Sequence, residues 1–215
     1  MYKIVFTRQV YKSLRRIPRD VVNRMRKRLD QIAEDPYAQY ANVTKLQNRP
    51  GYRLRVGDWR VIYAVQEDEL IILVLKDIGA ESWFSWRYLP MNVQIIKRDG
   101  NPEWAVIPYK EYLRLAAEAE MLRDVRDYDA TLEAIEQGEE TIPSEIVYAI
   151  LDGANPIRVW RQYRELTQQQ LSEAAGISKP YLSQIESGKR TGTTEVLSAI
   201  ANALNLTLDD IVKTD

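Results

Sequence analysis

The chain has 215 residues, 45% of them hydrophobic, a net charge of −1, and neither Cys nor His. That length accommodates two or three compact units. The composition excludes a disulfide framework, a thiolate or imidazole metal site and a histidine general base. No apolar run approaches ~20 residues, so no helical membrane span is expected. The opening Met1-Tyr2-Lys3-Ile4-Val5-Phe6 lacks the pattern of a secretory leader. The expectation is a cytoplasmic protein with no cofactor and no metal.

The small net charge conceals a strong asymmetry. Residues 1–90 carry 17 Lys/Arg against 10 Asp/Glu, residues 91–154 carry 6 against 14, and residues 155–215 balance at 7 against 7. A basic unit followed by an acidic segment of similar magnitude points to a nucleic-acid-binding surface and something that covers it.

In chain order, Tyr2–Phe6 reads as a strand and Arg8–Arg16 as a helix stopped near Pro18. A second helix follows, with Val22, Met25, Leu29 and Ile32 on one face, and ends at Asp35-Pro36. The period then changes to two: Tyr52–Val56, Trp59–Gln66 and Leu70–Leu75 are strands, with Gly57-Asp58 and Glu67–Glu69 as tight connections. This predicts a β-α-α-β-β-β unit, an antiparallel sheet with two helices on one face.

An acidic strand-and-helix arm comes next. Met91–Lys97 and Trp104–Ile107 predict a hairpin around Asp99-Gly100-Asn101. Tyr109 to about Asp124 predicts one amphipathic helix, Tyr128–Gln137 a second ended by Gly138, and Ser144–Leu151 a third. The last 60 residues hold five short helical patterns. The predicted fold class is therefore α+β with an all-α C-terminal domain, and the expected boundaries are 1–90, 91–154 and 155–215.

The run Leu166 to Glu186 reads as helix, turn, helix. Thr167 and Ser178 are N-caps, Gly176 supplies a left-handed turn residue, and Ala174 and Ile177 are expected at the helix crossing. Val196, Leu197, Ile200, Ala201 and Leu204 are expected in a common core. Across its length this domain resembles the phage-repressor-like (XRE) family of helix-turn-helix domains. The resemblance implies that the second helix enters the major groove of operator DNA. Lys179, Pro180, Tyr181, Ser183 and Gln184 then face base edges, with Gln184 suited to a bidentate contact on adenine. Gln168, Lys189 and Arg190 are placed at phosphates. Domains of this type read palindromes as dimers, so a homodimer is expected.

Residues 1–76 resemble the RelE/ParE toxin superfamily, through Tyr2-Lys3-Ile4-Val5-Phe6, Lys45-Leu46 and the run Gly51 to Tyr63. RelE-type toxins cut messenger RNA on the ribosome by attack of a 2′-hydroxyl on the adjacent phosphate, which needs cations and oriented protons but no metal. The resemblance places Arg53, Arg55 and Arg60 in the catalytic site and Lys45 on the RNA. Arg53 and Arg55 share a strand face because the period is two. The family's tail, a basic residue and then a Val-Tyr pair whose Arg and Tyr complete the site, is replaced here by Lys76 to Trp86, with no Arg between Lys76 and Arg87 and no Tyr in that stretch before Tyr88. An inhibited or inactive enzyme is therefore expected.

The acidic arm has the character of an antitoxin, the whole being similar to a toxin joined to a HigA-like antitoxin. Met91 looks like a former start codon, and Trp86-Arg87 permits an upstream ribosome-binding sequence in the gene. The expected function is a type II toxin–antitoxin fusion. Its messenger RNA endoribonuclease domain is neutralised within or between chains, and its helix-turn-helix domain autorepresses transcription. Two alternatives stand beside it: a DNA-binding regulator carrying an inert toxin fold, and a ParE-like, gyrase-directed toxin. The expected partners are operator DNA, ribosome and messenger RNA, and no membrane.

Overall fold

The structure, a computed structural model, describes residues 2–66, 69–77, 94–99 and 101–212. The elements are β1 (Lys3–Thr7), α1 (Arg8–Leu14), α2 (Arg19–Glu34), β2 (Val43–Lys45), β3 (Tyr52–Val56), β4 (Trp59–Gln66) and β5 (Glu69–Asp77). There follow β6 (Gln94–Arg98), β7 (Asn101–Val106), α3 (Tyr109–Glu136), β8 (Thr141–Pro143) and α4 (Ser144–Leu151). The chain closes with α5 (Pro156–Tyr163), α6 (Gln168–Ala174), α7 (Lys179–Glu186), α8 (Thr194–Ala203) and α9 (Leu208–Ile211). Two compact units form, one from Met1–Ala38, Gln66–Ile72 and Glu139–Asp215, the other from Gln39–Val65 and Leu73–Gly138.

In the first unit the Thr7 hydroxyl accepts from the Val10 amide and caps α1. α2 buries Val22, Met25, Leu29 and Ile32, as the helical spacing predicts. β1 lies parallel to β5, with Lys3 opposite Glu69 and Phe6 opposite Ile72. This one pair departs from the antiparallel arrangement expected of the sheet, which β1–β8, β2–β3 and β3–β4 keep: period-two alternation specifies which face a residue takes, and carries nothing about strand direction. On its other side β1 pairs antiparallel with β8, Val5 opposite Pro143 and Thr7 opposite Thr141. Three residues are too few for a readable period, so neither β8 nor β2 is visible in the sequence. Pro143 has no N–H to give, which an edge position tolerates.

α4 then folds back so that the Tyr148 ring meets Phe6 edge-on at 5.7 Å, while the Arg26 guanidinium lies 4.2 Å over Tyr148. The five C-terminal helices form as expected. Asn155, Thr167, Ser178 and Thr193 accept from backbone amides of the following turns. Gly176 takes φ +64°, which L side chains rarely adopt. Trp160, Leu171, Leu182, Ile185, Ile200 and Leu204 are buried. Two side-chain expectations change: Ala175, not the exposed Ala174, is buried near the turn, and Val196 and Leu197 are only half-buried.

In the second unit β2, β3 and β4 form an antiparallel ladder, with Lys45 opposite Tyr52, Arg53 opposite Ile62 and Arg55 opposite Arg60. β6 and β7 pair as the expected hairpin, its Ile95, Ile96, Trp104 and Val106 exposed. Where two helices are expected between Tyr109 and Gln137, one 28-residue helix runs unbroken. Val125-Arg126-Asp127 contains no Gly or Pro, so nothing stops the helix before Gly138, at φ +99°. The Glu67–Glu69 turn in part, most of the altered toxin tail and the Met91 junction lie outside the described residues.

Tyr128 of α3 is 2% exposed, and its ring packs directly against Gly51. A Cβ at position 51 would sit 2.2 Å from Tyr128 Cε2. Gly51→Ala is therefore expected to lower stability by about 1–3 kcal/mol through overpacking. In a Tyr128→Ala background the same change is expected to cost far less. Urea titration of the four chains, read as a double-mutant cycle, checks the coupling.

Candidate functional site

Two groups of side chains carry candidate chemistry. The first begins with the register of β3 and β4. Arg55 and Arg60 are direct cross-strand partners, and Arg53 lies two residues from Arg55, so all three arginines share one face of the ladder. Lys45 pairs with Tyr52, whose neighbours in register are Tyr63 and Leu54 on the other face. The structure thus brings the three arginines together and leaves Lys45 exposed away from them.

What covers that face is α3. Asp124 is fully buried, and its carboxylate accepts from Arg60 Nη1 at 3.0 and 3.2 Å and from Arg53 Nη1 at 3.3 Å. Glu120 accepts from Arg60 Nη2, and Lys76 donates to Asp127. Farther along, Arg49 grips Asp129 with Nε at 2.5 Å and Nη2 at 2.7 Å, a bidentate pair. Glu120, Asp124, Asp127 and Tyr128 stand at i, i+4, i+7 and i+8, one face of a continuous helix. Arg55 turns its Nε to the Gly57 carbonyl at 3.1 Å.

Electrostatics follows from this packing. Arg60 is 5% exposed, and burial pulls its guanidinium below the ordinary value while Asp124 pulls it back up. Burial likewise lowers Lys76, opposed by Asp124. Asp129 is held below the ordinary carboxylate range by the hydrogen bonds from Arg49. Such a cluster can bind and orient a phosphate and stabilise extra negative charge on it, but here carboxylates already fill the role of the anion.

Sequence reasoning missed Asp124, Glu120, Asp127 and Asp129 as partners, and Arg49 and Lys76 as further cations. The signal was present in the acidic i, i+4, i+7 spacing. Dividing the helix between Asp124 and Tyr128 hid it.

The second group is the surface of α7. Leu182, Ile185 and Glu186 face inward; Lys179, Pro180 and Ser183 are exposed, and Tyr181 and Gln184 are half-buried. Lys189 and Arg190 are exposed on a loop whose amides close onto the Gln184 carbonyl at 2.9 and 3.2 Å. The Arg190 guanidinium lies 5.6 Å over the Tyr181 ring. Behind this surface Arg161 holds Glu186 at 2.6 and 3.0 Å, and Gln168 Nε2 donates to the same carboxylate at 2.8 Å. Gln168 therefore braces α6 against α7. Among the described residues there is no cluster of carboxylates arranged to hold a metal, and no helix long and apolar enough to cross a membrane.

Comparison with known proteins bears on both groups. Residues 4–76 match the family model of the ParE toxin of type II toxin-antitoxin systems, and residues 157–211 match a helix-turn-helix family model. Uncharacterized HTH-type transcriptional regulators from two Mycobacterium tuberculosis strains (CDC 1551 / Oshkosh and ATCC 25618 / H37Rv) are each 43% identical over 53 residues. The alignment takes in 25% of this chain and spans 38% of each relative's length. The crystal structure of the clp gene regulator ClgR from C. glutamicum aligns with 27% of this chain and 75% of that one, at 29% identity and a TM-score of 0.26.

Breaking a buried ion pair from one side leaves the other charge uncompensated. Asp124→Ala is expected to lower stability by about 3–5 kcal/mol, against roughly 0–1 kcal/mol for the exposed Asp20→Ala, both read by urea titration. Asp129 contributes a pH dependence whose sign follows from its depressed value. Stability from the Arg49 pair is fully present above the ordinary 3.8 and is lost as pH falls through the lower folded value. Arg49→Gln is expected to flatten the acid limb of a stability–pH profile below about pH 4.

Proposed function

We propose that this chain, a ParE/RelE-type toxin domain joined to an XRE-type helix-turn-helix domain, is a toxin silenced by its own acidic helix and a repressor of its own operon. The proposed division is residues 1–90 for the toxin, 91–154 for the neutralising segment and 155–215 for the DNA reader. The observation that carries the reading is the Asp124 carboxylate seated between Arg60 and Arg53.

In this reading the three arginines are the phosphate-binding set of a messenger RNA endoribonuclease acting on the ribosome. Arg60 and Arg53 stabilise the charge that builds on the scissile phosphate while the 2′-hydroxyl attacks it, and no metal takes part. Asp124 and Glu120 occupy the anion's place, so the enzyme is inhibited for as long as α3 is seated. Covalent linkage keeps the inhibitor at an effective concentration of about millimolar, where the geometry allows the contact. Lys45, on the other face, is left with an outer phosphate contact at most.

In the same reading Lys179, Pro180, Tyr181, Ser183 and Gln184 contact base edges in the major groove, Gln184 on adenine, while Lys189, Arg190 and the Gln168 end of α6 contact phosphates. Its balanced charge, 7 Lys/Arg against 7 Asp/Glu, gives few phosphate contacts. Affinity then depends on a homodimer engaging two half-sites. A second reading, a gyrase-directed toxin, is favoured by one finding, the match of residues 4–76 to the ParE family model.

The test is a full-length Glu120→Ala/Asp124→Ala/Asp127→Ala chain expressed from a tight promoter beside the same chain carrying Arg60→Ala. Growth arrest with cut messages, relieved by Arg60→Ala, is the expected result. Arrest with intact messages and blocked DNA supercoiling establishes the gyrase reading instead. Normal growth from folded protein means that the toxin fold is inert and that the chain acts through DNA alone.

A further inference from the structure

We infer that helix α1 of the toxin domain is the mount on which the DNA-reading domain is built, so that the toxin fold takes part in DNA binding through α9. This rests on the reading of the C-terminal domain as a DNA binder. Both elements belong to the first compact unit.

The argument begins with α9, four residues long. A helix of one turn has almost no stability of its own, and its last carbonyls lack intrahelical partners. α1 supplies them. The Tyr11 hydroxyl donates to the Asp210 carbonyl at 2.9 Å, and the Arg15 guanidinium donates to the carbonyls of Asp209 and Val212. Lys12 Nζ reaches the hydroxyl of Thr207, the N-cap of α9, at 3.2 Å. Arg8 donates at 3.2 Å to the carbonyl of Asn205, which holds the left-handed turn into α9 at φ +57°.

These four side chains stand at i, i+3, i+4 and i+7, one face of α1 and its C-cap Arg15 turned to α9 and the turn that leads into it. Burial supports the same assignment. Tyr11 and Trp160 are both fully buried and meet edge-on at 6.0 Å, so the toxin helix closes the outer side of the repressor core. From the linker, Glu140 holds Arg164 of the turn after α5 at 2.5 and 2.6 Å and lies 3.8 Å from Arg8. α9, with its Ile211 buried, packs on α5 and α8; α8 packs in turn on α6, and α6 on α7. Loosening α1 therefore loosens the platform under the recognition helix.

The experiment uses the full chain with the mild pair Tyr11→Phe/Arg15→Ala, which removes three hydrogen bonds, two to α9 carbonyls and one to its C-cap Val212, and leaves the ring packing in place. Arg24→Ala, in a surface pair with Asp20, is the control. Hydrogen exchange of the Val212 and Leu204 amides is expected to quicken about tenfold or more, with β3 and β4 amides within about twofold. Retardation of a duplex taken from upstream of the chain's own reading frame is expected to weaken by about the same factor, with Gln184→Ala as the variant that loses base contact alone. Unchanged exchange in α9 overturns the inference, because the repressor domain then stands without α1. Faster exchange with unaltered retardation overturns its link to DNA binding. If the wild-type chain retards no duplex while Arg24→Ala and the pair still differ in exchange, the mount stands and the DNA-binding reading of the preceding subsection fails.

Discussion

The second unit is organised by one buried anion. Arg60 is buried on a sheet face that it shares with the half-buried Arg53 and Arg55, and a guanidinium that has lost its water beside two like charges needs a matching negative charge. Asp124, fully buried between Arg60 and Arg53, meets that requirement, and Glu120 accepts from Arg60 Nη2. The other contacts of α3 are in the same register. Asp127 and Asp129 fall opposite Lys76 and Arg49, and Tyr128 comes down on the one residue in the loop before β3 that has no side chain, Gly51.

A buried ion cluster adds little net stability compared with an apolar interface of the same shape, since desolvation offsets most of the attraction. Its value lies in discrimination. An apolar helix could settle on the sheet in several registers, whereas a carboxylate one turn out of place leaves Arg60 charged, buried and unpaired.

The first unit shows a different principle. Its members come from both ends of the chain: the family match at residues 4–76 contributes β1, α1 and α2, and the match at 157–211 contributes α5 to α9. Evolutionary domains and compact units therefore do not coincide. Two open features of the region matched at residues 4–76 are each completed from the C-terminal half. The free edge of β1 is closed by β8, and the polar face of α1 by α9 and Trp160. Exposed strand edges invite pairing with other chains, and covering this one internally removes that hazard.

Local chemistry is written plainly in the sequence. Helix caps at Thr167 and Ser178, the left-handed Gly176, the period of two through Tyr52–Gln66 and the sharing of a face by Arg53 and Arg55 each depend on residues within a few positions of one another. Sequence sufficed for them, as it did for the opposed charge of residues 1–90 and 91–154. Strand direction in the β1–β5 pair, the three-residue strands β2 and β8, and the choice of Asp124 as the partner of Arg60 were decided only by the tertiary structure. Each depends on groups 60 or more residues apart, or on segments too short to show a period. A sequence states how much charge there is to neutralise, but only the packing of a rigid 28-residue helix on a sheet of known register decides which carboxylate meets which arginine.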